Sequence, residues 1–125
     1  NERLVPTGKI LNVTGTPWDY RQFRKIGHQR FNHCYLQLER DAQGMATASL
    51  RHTARDRAID ITMDPAFSAV VVYTGDAIAD APRAALAIEP MTCASDAFNH
   101  PEWGLKRLVS GETFSGSYRI QLRVM

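Results

Sequence analysis

A single carboxylate, Glu89, follows the apolar run 84–88 and stands directly before Pro90. A short apolar run of this kind reads as a buried strand, and the proline reads as its stop. A carboxylate at the end of a buried strand is costly to desolvate. It is also where a raised pKa and general-base chemistry are easiest to arrange. From spacing alone, a strand-end glutamate that pairs with an arginine is the reading to favour. On a strand, Glu89 shares its face with Ala85 and Ala87, and their small side chains leave room for a ligand. Leu86 and Ile88 would pack the opposite face.

A second group is Phe31-Asn32-His33-Cys34-Tyr35. Strand alternation puts Asn32, Cys34, Leu36 and Leu38 on one face, with His33, Tyr35 and Gln37 on the other. Asn32 and His33 then reach one pocket only if a bulge intervenes. His33 alone reads as a structural histidine. His28, His52 and His100 fall in expected loops or turns, and no pair has metal-ligand spacing, so no metal is expected. Cys34 and Cys93 form neither a CxxC pair nor a zinc pattern, and reduced thiols are the expectation. There is no glycine-rich phosphate loop and no serine or cysteine nucleophile elbow. No cofactor is expected.

The elements that would carry these residues follow a period of two. Phe114, Tyr118, Ile120, Leu122 and Val124 share one parity, which predicts a C-terminal strand with one buried and one wet face. Residues 58–63 alternate, residues 45–51 do so more weakly, and 52–57 read as the turn of a hairpin joining them. Residues 31–39 predict a strand ended by Asp41-Ala42-Gln43-Gly44. Residues 68–73 predict a buried strand between Pro65 and Gly75, and residues 9–13 a short one between Gly8 and Gly15. Residues 19–27 alone look helical, with Asp19 as N-cap and Gly27 as stop. Residues 76–83 and 93–103 read as loops. The expectation is one all-β domain over residues 1–125, antiparallel and of about six or seven strands, and such sheets form sandwiches or barrels.

Composition narrows the function. The chain has 125 residues, 44% hydrophobic and 22% charged, which suits a single globular domain with a modest core. Its net charge of +2 is scattered, with Arg21, Arg24, Lys25 and Arg30 the one loose cluster. A nucleic-acid reader usually carries a stronger basic stripe, so no nucleic-acid partner is expected. No apolar run is long enough to span a membrane, and no signal peptide opens the chain. A cytoplasmic location is expected. The aromatics Trp18, Tyr20, Phe23, Phe31, Tyr73, Phe98 and Trp103 read mostly as core, with one or two free to stack on a sugar ring.

Several blocks occur in order: Leu4-Val5-Pro6-Thr7-Gly8, Gly15-Thr16-Pro17-Trp18-Asp19-Tyr20-Arg21, Phe31-Asn32-His33-Cys34-Tyr35, and Val72-Tyr73-Thr74-Gly75. Ile88-Glu89-Pro90-Met91-Thr92, Asp96-Ala97-Phe98-Asn99 and Gly111-Glu112-Thr113 follow. No single block is specific, but the ordered set resembles the C-terminal part of the aldose 1-epimerase (galactose mutarotase) family over essentially the whole chain. The resemblance implies a β-supersandwich that interconverts the α and β anomers of a free aldose by opening and reclosing its ring. It places the family's glutamate base on Glu89 and its sugar-binding aspartate on Asn32, which keeps hydrogen bonding but brings no charge. A glutamine that some members carry before the "YTG" block is absent from Val70-Val71-Val72. The family's acid histidine and further sugar contacts would lie upstream of Asn1. The implied partners are therefore a small-molecule aldose and an N-terminal half, or a partner chain, that completes the sandwich. The alternatives are a non-catalytic carbohydrate-binding domain on the same fold, or a β-sandwich interaction domain without a ligand.

Overall fold

A computed structural model describes residues 6–125; Leu4 and Val5 of the first block lie outside the described residues. Six strands run in the order β1 (Asn32–Leu36), β2 (Ala46–His52), β3 (Arg57–Met63), β4 (Ala69–Tyr73), β5 (Ala87–Met91) and β6 (Tyr118–Val124). They form two three-stranded antiparallel sheets, β1-β4-β5 and β2-β3-β6. The architecture is an all-β sandwich. No helix among the described residues is long and apolar enough to cross a membrane.

The core lies between the two sheets. Ala46, Ile61, Met63, Phe67 and Val70 form its buried centre, with Leu38, Ala48, Val72 and Ile88 packed against it. β2 and β3 make the expected hairpin, closed by a single 3-10 turn at Thr53–Arg55. Register puts Ala46, Ala48 and Leu50 opposite Met63, Ile61 and Ile59 respectively, on the core side. The reverse face of this sheet is polar. There Asp60 accepts from Ser49 at 2.7 Å and pairs with Arg123, and the two threonines Thr47 and Thr62 share a hydrogen bond. Cross-strand pairs of this kind hold a wet sheet face together.

Five expectations change in three dimensions. Residues 9–13 form no strand, and Ile10 and Leu11 are exposed. A strand needs a neighbour to pair with, and among the described residues none borders this segment. Residues 19–27 form no helix. Asp19 instead folds back on Arg21, accepting from its backbone N–H at 3.3 Å and its guanidinium at 2.9 Å. A short aspartate that bonds nearby backbone competes with the helix ladder in this way. Phe23 stays exposed, with the Arg51 guanidinium 3.3 Å from its ring centre.

Leu38 leaves the face it was expected to share with Asn32. Gln37 has a left-handed φ of 53°, which ends β1 at Leu36 and turns Leu38 into the core. Glu89 is in the middle of β5 rather than at a strand end, and Pro90 does not stop the strand. β5 is an edge strand, where a residue without an N–H costs no ladder bond on the open side. The apolar parity of β6 is not buried, since Ile120 is 62% and Val124 76% exposed. The sheet opposite covers β2 and β3, and its apolar side chains do not extend over β6.

Met63 is 1% exposed and the largest fully buried side chain among the described residues. Met63→Ala removes packing from both sheets at once. It is expected to lower unfolding free energy by about 2–5 kcal/mol in urea titration, without loss of strand content by circular dichroism.

Candidate functional site

The site is built on the sheet β1-β4-β5. Its central strand β4 fixes two rows, Asn32–Tyr73–Ala87 and Cys34–Val71–Glu89. Directly opposed residues point to the same face. Val70, Val72 and Ile88 take the core side. Asn32, Cys34, Val71, Tyr73, Ala87 and Glu89 therefore share the face turned away from the core. The two residues read from sequence as chemistry-bearing are brought to one surface. They stand two strand spacings apart across the sheet and two residues apart along it, about 12 Å on the diagonal, with Val71 and Tyr73 between them.

Both ends of this surface are open to solvent, since Asn32 and Glu89 are each exposed. The buried carboxylate expected from the apolar run is thus not found; the edge position of β5 leaves Glu89 in water. No lysine or arginine among the described residues forms an ion pair with Glu89, so the bland ion-pair reading has no partner there. The arrangement offers an acceptor carboxylate at one end, a carboxamide that both donates and accepts at the other, and an apolar floor. A ligand with hydroxyls at its rim and a C–H face fits this chemistry. Among the described residues no three histidine, cysteine, aspartate or glutamate side chains gather to hold a metal. Cys34 and Cys93 are free thiols.

His33 is on the opposite face, as alternation requires. Its ring lies 5.5 Å from that of Trp18 and 6.2 Å from that of Phe31. Loss of water there holds the imidazole below its ordinary pKa. Its Nδ1 accepts from the Asn32 backbone N–H at 3.1 Å, which requires the neutral ring. Next along β1, the Tyr35 hydroxyl donates to the Trp18 carbonyl at 3.2 Å. Burial, with the nearby Tyr20 and Asp19, pushes this phenol up to about 12. The segment around Trp18 thus lies along the core side of β1, where His33 stays partly open to water, and leaves the other side free.

A cleft of about 730 Å³ opens elsewhere, beside Gly15, Asp19, Arg21, Phe23, Arg24 and Glu39, and neither Asn32 nor Glu89 lines it. Arg21 and Asp19 neutralise each other there across 2.6 Å, and the carboxyl is held far below its usual range by that guanidinium. The residues of this face that sequence reading missed are Val71 and Tyr73. Only the pairing of β4 with both neighbours identifies them, and no local pattern announces that pairing. Phe98, grouped with the core candidates, is 88% exposed in the loop after β5.

A family model described as aldose 1-epimerase matches residues 1–121. No curated protein and no solved structure matches the chain.

The depressed pKa of His33 has a sign that can be checked. The unfolded chain takes up this proton near the ordinary histidine value, and the folded chain resists it. Stability should therefore fall as pH drops from about 7 towards the folded pKa. His33→Gln should flatten that part of a plot of urea midpoint against pH. The lowered carboxylates Asp60, Asp64 and Asp76 act only below the carboxylate range, so they leave this window unaffected.

Proposed function

Because the chain belongs to the aldose 1-epimerase family, we propose that it is a mutarotase-type isomerase, or the half of one that carries the base. The substrate is a free aldohexose such as galactose or glucose. The observation that carries this reading is the placement of Asn32 and Glu89 on one sheet face, across the floor of Val71 and Tyr73.

The Glu89 carboxylate takes the proton from the C1 hydroxyl of the cyclic hemiacetal. The C1–O5 bond breaks as C1 becomes an aldehyde, and an acid delivers a proton to O5. Rotation about C1–C2 then presents the other carbonyl face, and the reverse steps close the ring to the opposite anomer. A hemiacetal hydroxyl is a weak acid, so a positioned carboxylate is a suitable base. Asn32 holds a ring hydroxyl and limits how the sugar turns. Its neutral carboxamide makes weaker bonds than an aspartate would, and this shifts the preference among aldoses.

The acid comes from outside residues 6–125, on an N-terminal half or a partner chain that completes the sandwich. No histidine shares the face of Asn32 and Glu89. His33 is turned away, His52 ends β2 in the other sheet, His28 sits in a turn before β1, and His100 stacks on Trp103 beyond β5. The uncovered apolar side of β6 supports a further layer of polypeptide. A second reading, a carbohydrate-binding domain without turnover, is favoured by one observation: Glu89 is solvated rather than desolvated.

Polarimetry on pure α anomers of galactose and glucose separates the two readings. Glu89→Gln in the complete protein should slow mutarotation roughly 10²–10⁴-fold while leaving aldose binding nearly unchanged. Full activity in that variant would remove Glu89 as base. The 125-residue chain alone should convert the anomers no faster than buffer; rapid Glu89-dependent turnover would show that the acid lies within it.

A further inference from the structure

Thr74 is the one buried polar side chain among the described residues, 3% exposed, at the end of β4. It has three partners. Its hydroxyl accepts from the Phe31 N–H at 2.9 Å, its own N–H donates to the Phe31 carbonyl at 3.1 Å, and its hydroxyl meets the Asp76 carboxylate. A hydroxyl has one proton to give. The carboxylate is a stronger acceptor than the Phe31 carbonyl, which also lies within 3.2 Å. The proton therefore goes to Asp76, and the lone pairs are left for Phe31.

Asp76 is itself held. Arg83 approaches it at 2.8 Å and Arg30 at 3.4 Å. The Arg83 guanidinium also donates to the carbonyls of Gly27 at 2.9 Å and Gln29 at 3.2 Å. The loop after β4 is thus tied to the segment that enters β1. These contacts bracket Phe31, with the Thr74 hydroxyl on its N–H and the Thr74 N–H on its carbonyl. The next N–H, that of Asn32, donates to His33 Nδ1 at 3.1 Å.

We infer that the Thr74 hydroxyl, clamped by Asp76 and Arg83, is a positioning group that sets the direction of the Asn32 carboxamide on the open sheet face. Its consequence for sugar binding rests on the mutarotase reading above; the positioning itself does not. Thr74 never meets the substrate. It acts through the buried Phe31, the residue that leads into Asn32 at the start of β1.

The test uses isotope-labelled 125-residue chain carrying Thr74→Val, Thr74→Ser or Asp76→Asn, with Asp60→Asn as a remote destabilised control. Thr74→Val and Asp76→Asn are expected to shift the Asn32 side-chain carboxamide resonances and speed hydrogen exchange of the Phe31 N–H. Thr74→Ser should restore both, and Asp60→Asn should move neither, although it lowers the thermal midpoint. Titration of the complete protein with galactose and glucose should show about tenfold weaker binding for Thr74→Val, the size of one lost hydrogen bond, with Thr74→Ser near wild type. Unmoved Asn32 resonances in both Thr74→Val and Asp76→Asn overturn the inference, as does an equal shift in Asp60→Asn. Should the resonances move while the wild-type protein binds no aldose, the positioning role stands and the mutarotase reading falls.

Discussion

The pairing of β4 with β1 on one side and β5 on the other is the constraint on which the candidate site depends. It sets Val71 between Cys34 and Glu89, and Tyr73 between Asn32 and Ala87. Side chains alternate strictly along a strand, so a slip of one residue in either ladder would send Glu89 or Asn32 into the core. The register is held by the apolar side. Val70, with Val72 and Ile88 beside it, packs with Ile61, Met63 and Ala46, and a one-residue slip would turn all three outward. The open face is therefore arranged by what happens on the hidden one.

The two sheets use their outward faces differently. On β2-β3-β6 the outward polar face is closed by its own contacts, with Asp60 shared between Ser49 and Arg123. Both hydrogen bonds favour the carboxylate and hold its pKa down, as does the field of Arg51. On β1-β4-β5 the polar groups of Asn32 and Glu89 are left facing water. Acidic groups elsewhere are tied into turns, as Asp64 is to the Ser117 N–H and hydroxyl and to the Ala66 N–H. Glu89 differs from these structural carboxylates in lacking such a knot among the described residues. A carboxylate without a structural task, on a face shared with a hydrogen-bonding amide, is available for a ligand.

Much of the strand content was legible because period-two patterns are local. Residues 45–51 and 58–63 alternate, and they form β2, β3 and their hairpin almost as expected. The continuous valine run at 70–72 is a central strand, flanked on both sides. The failures share a physical reason. Residues 9–13 carry a strand pattern with no ladder to join, and Asp19 satisfies Arg21 instead of capping a helix. At Gln37 a single positive φ reverses the parity of everything that follows, so Leu38 turns inward. Nothing in residue type distinguishes that glutamine from its neighbours.

The all-β class, the opposite facing of Asn32 and His33, and the ordered blocks that mark the family can all be read from the residues alone. These follow from alternation along one strand and from residue order, and neither needs a partner strand. Folding was needed to bring Asn32 and Glu89 to one face, to place Glu89 in water in the middle of an edge strand, and to leave the apolar side of β6 uncovered among the described residues. Those facts depend on which strands become neighbours and where a sheet ends. Such choices are made by the long-range burial of Met63, Ile61 and Val70 rather than by any local signal.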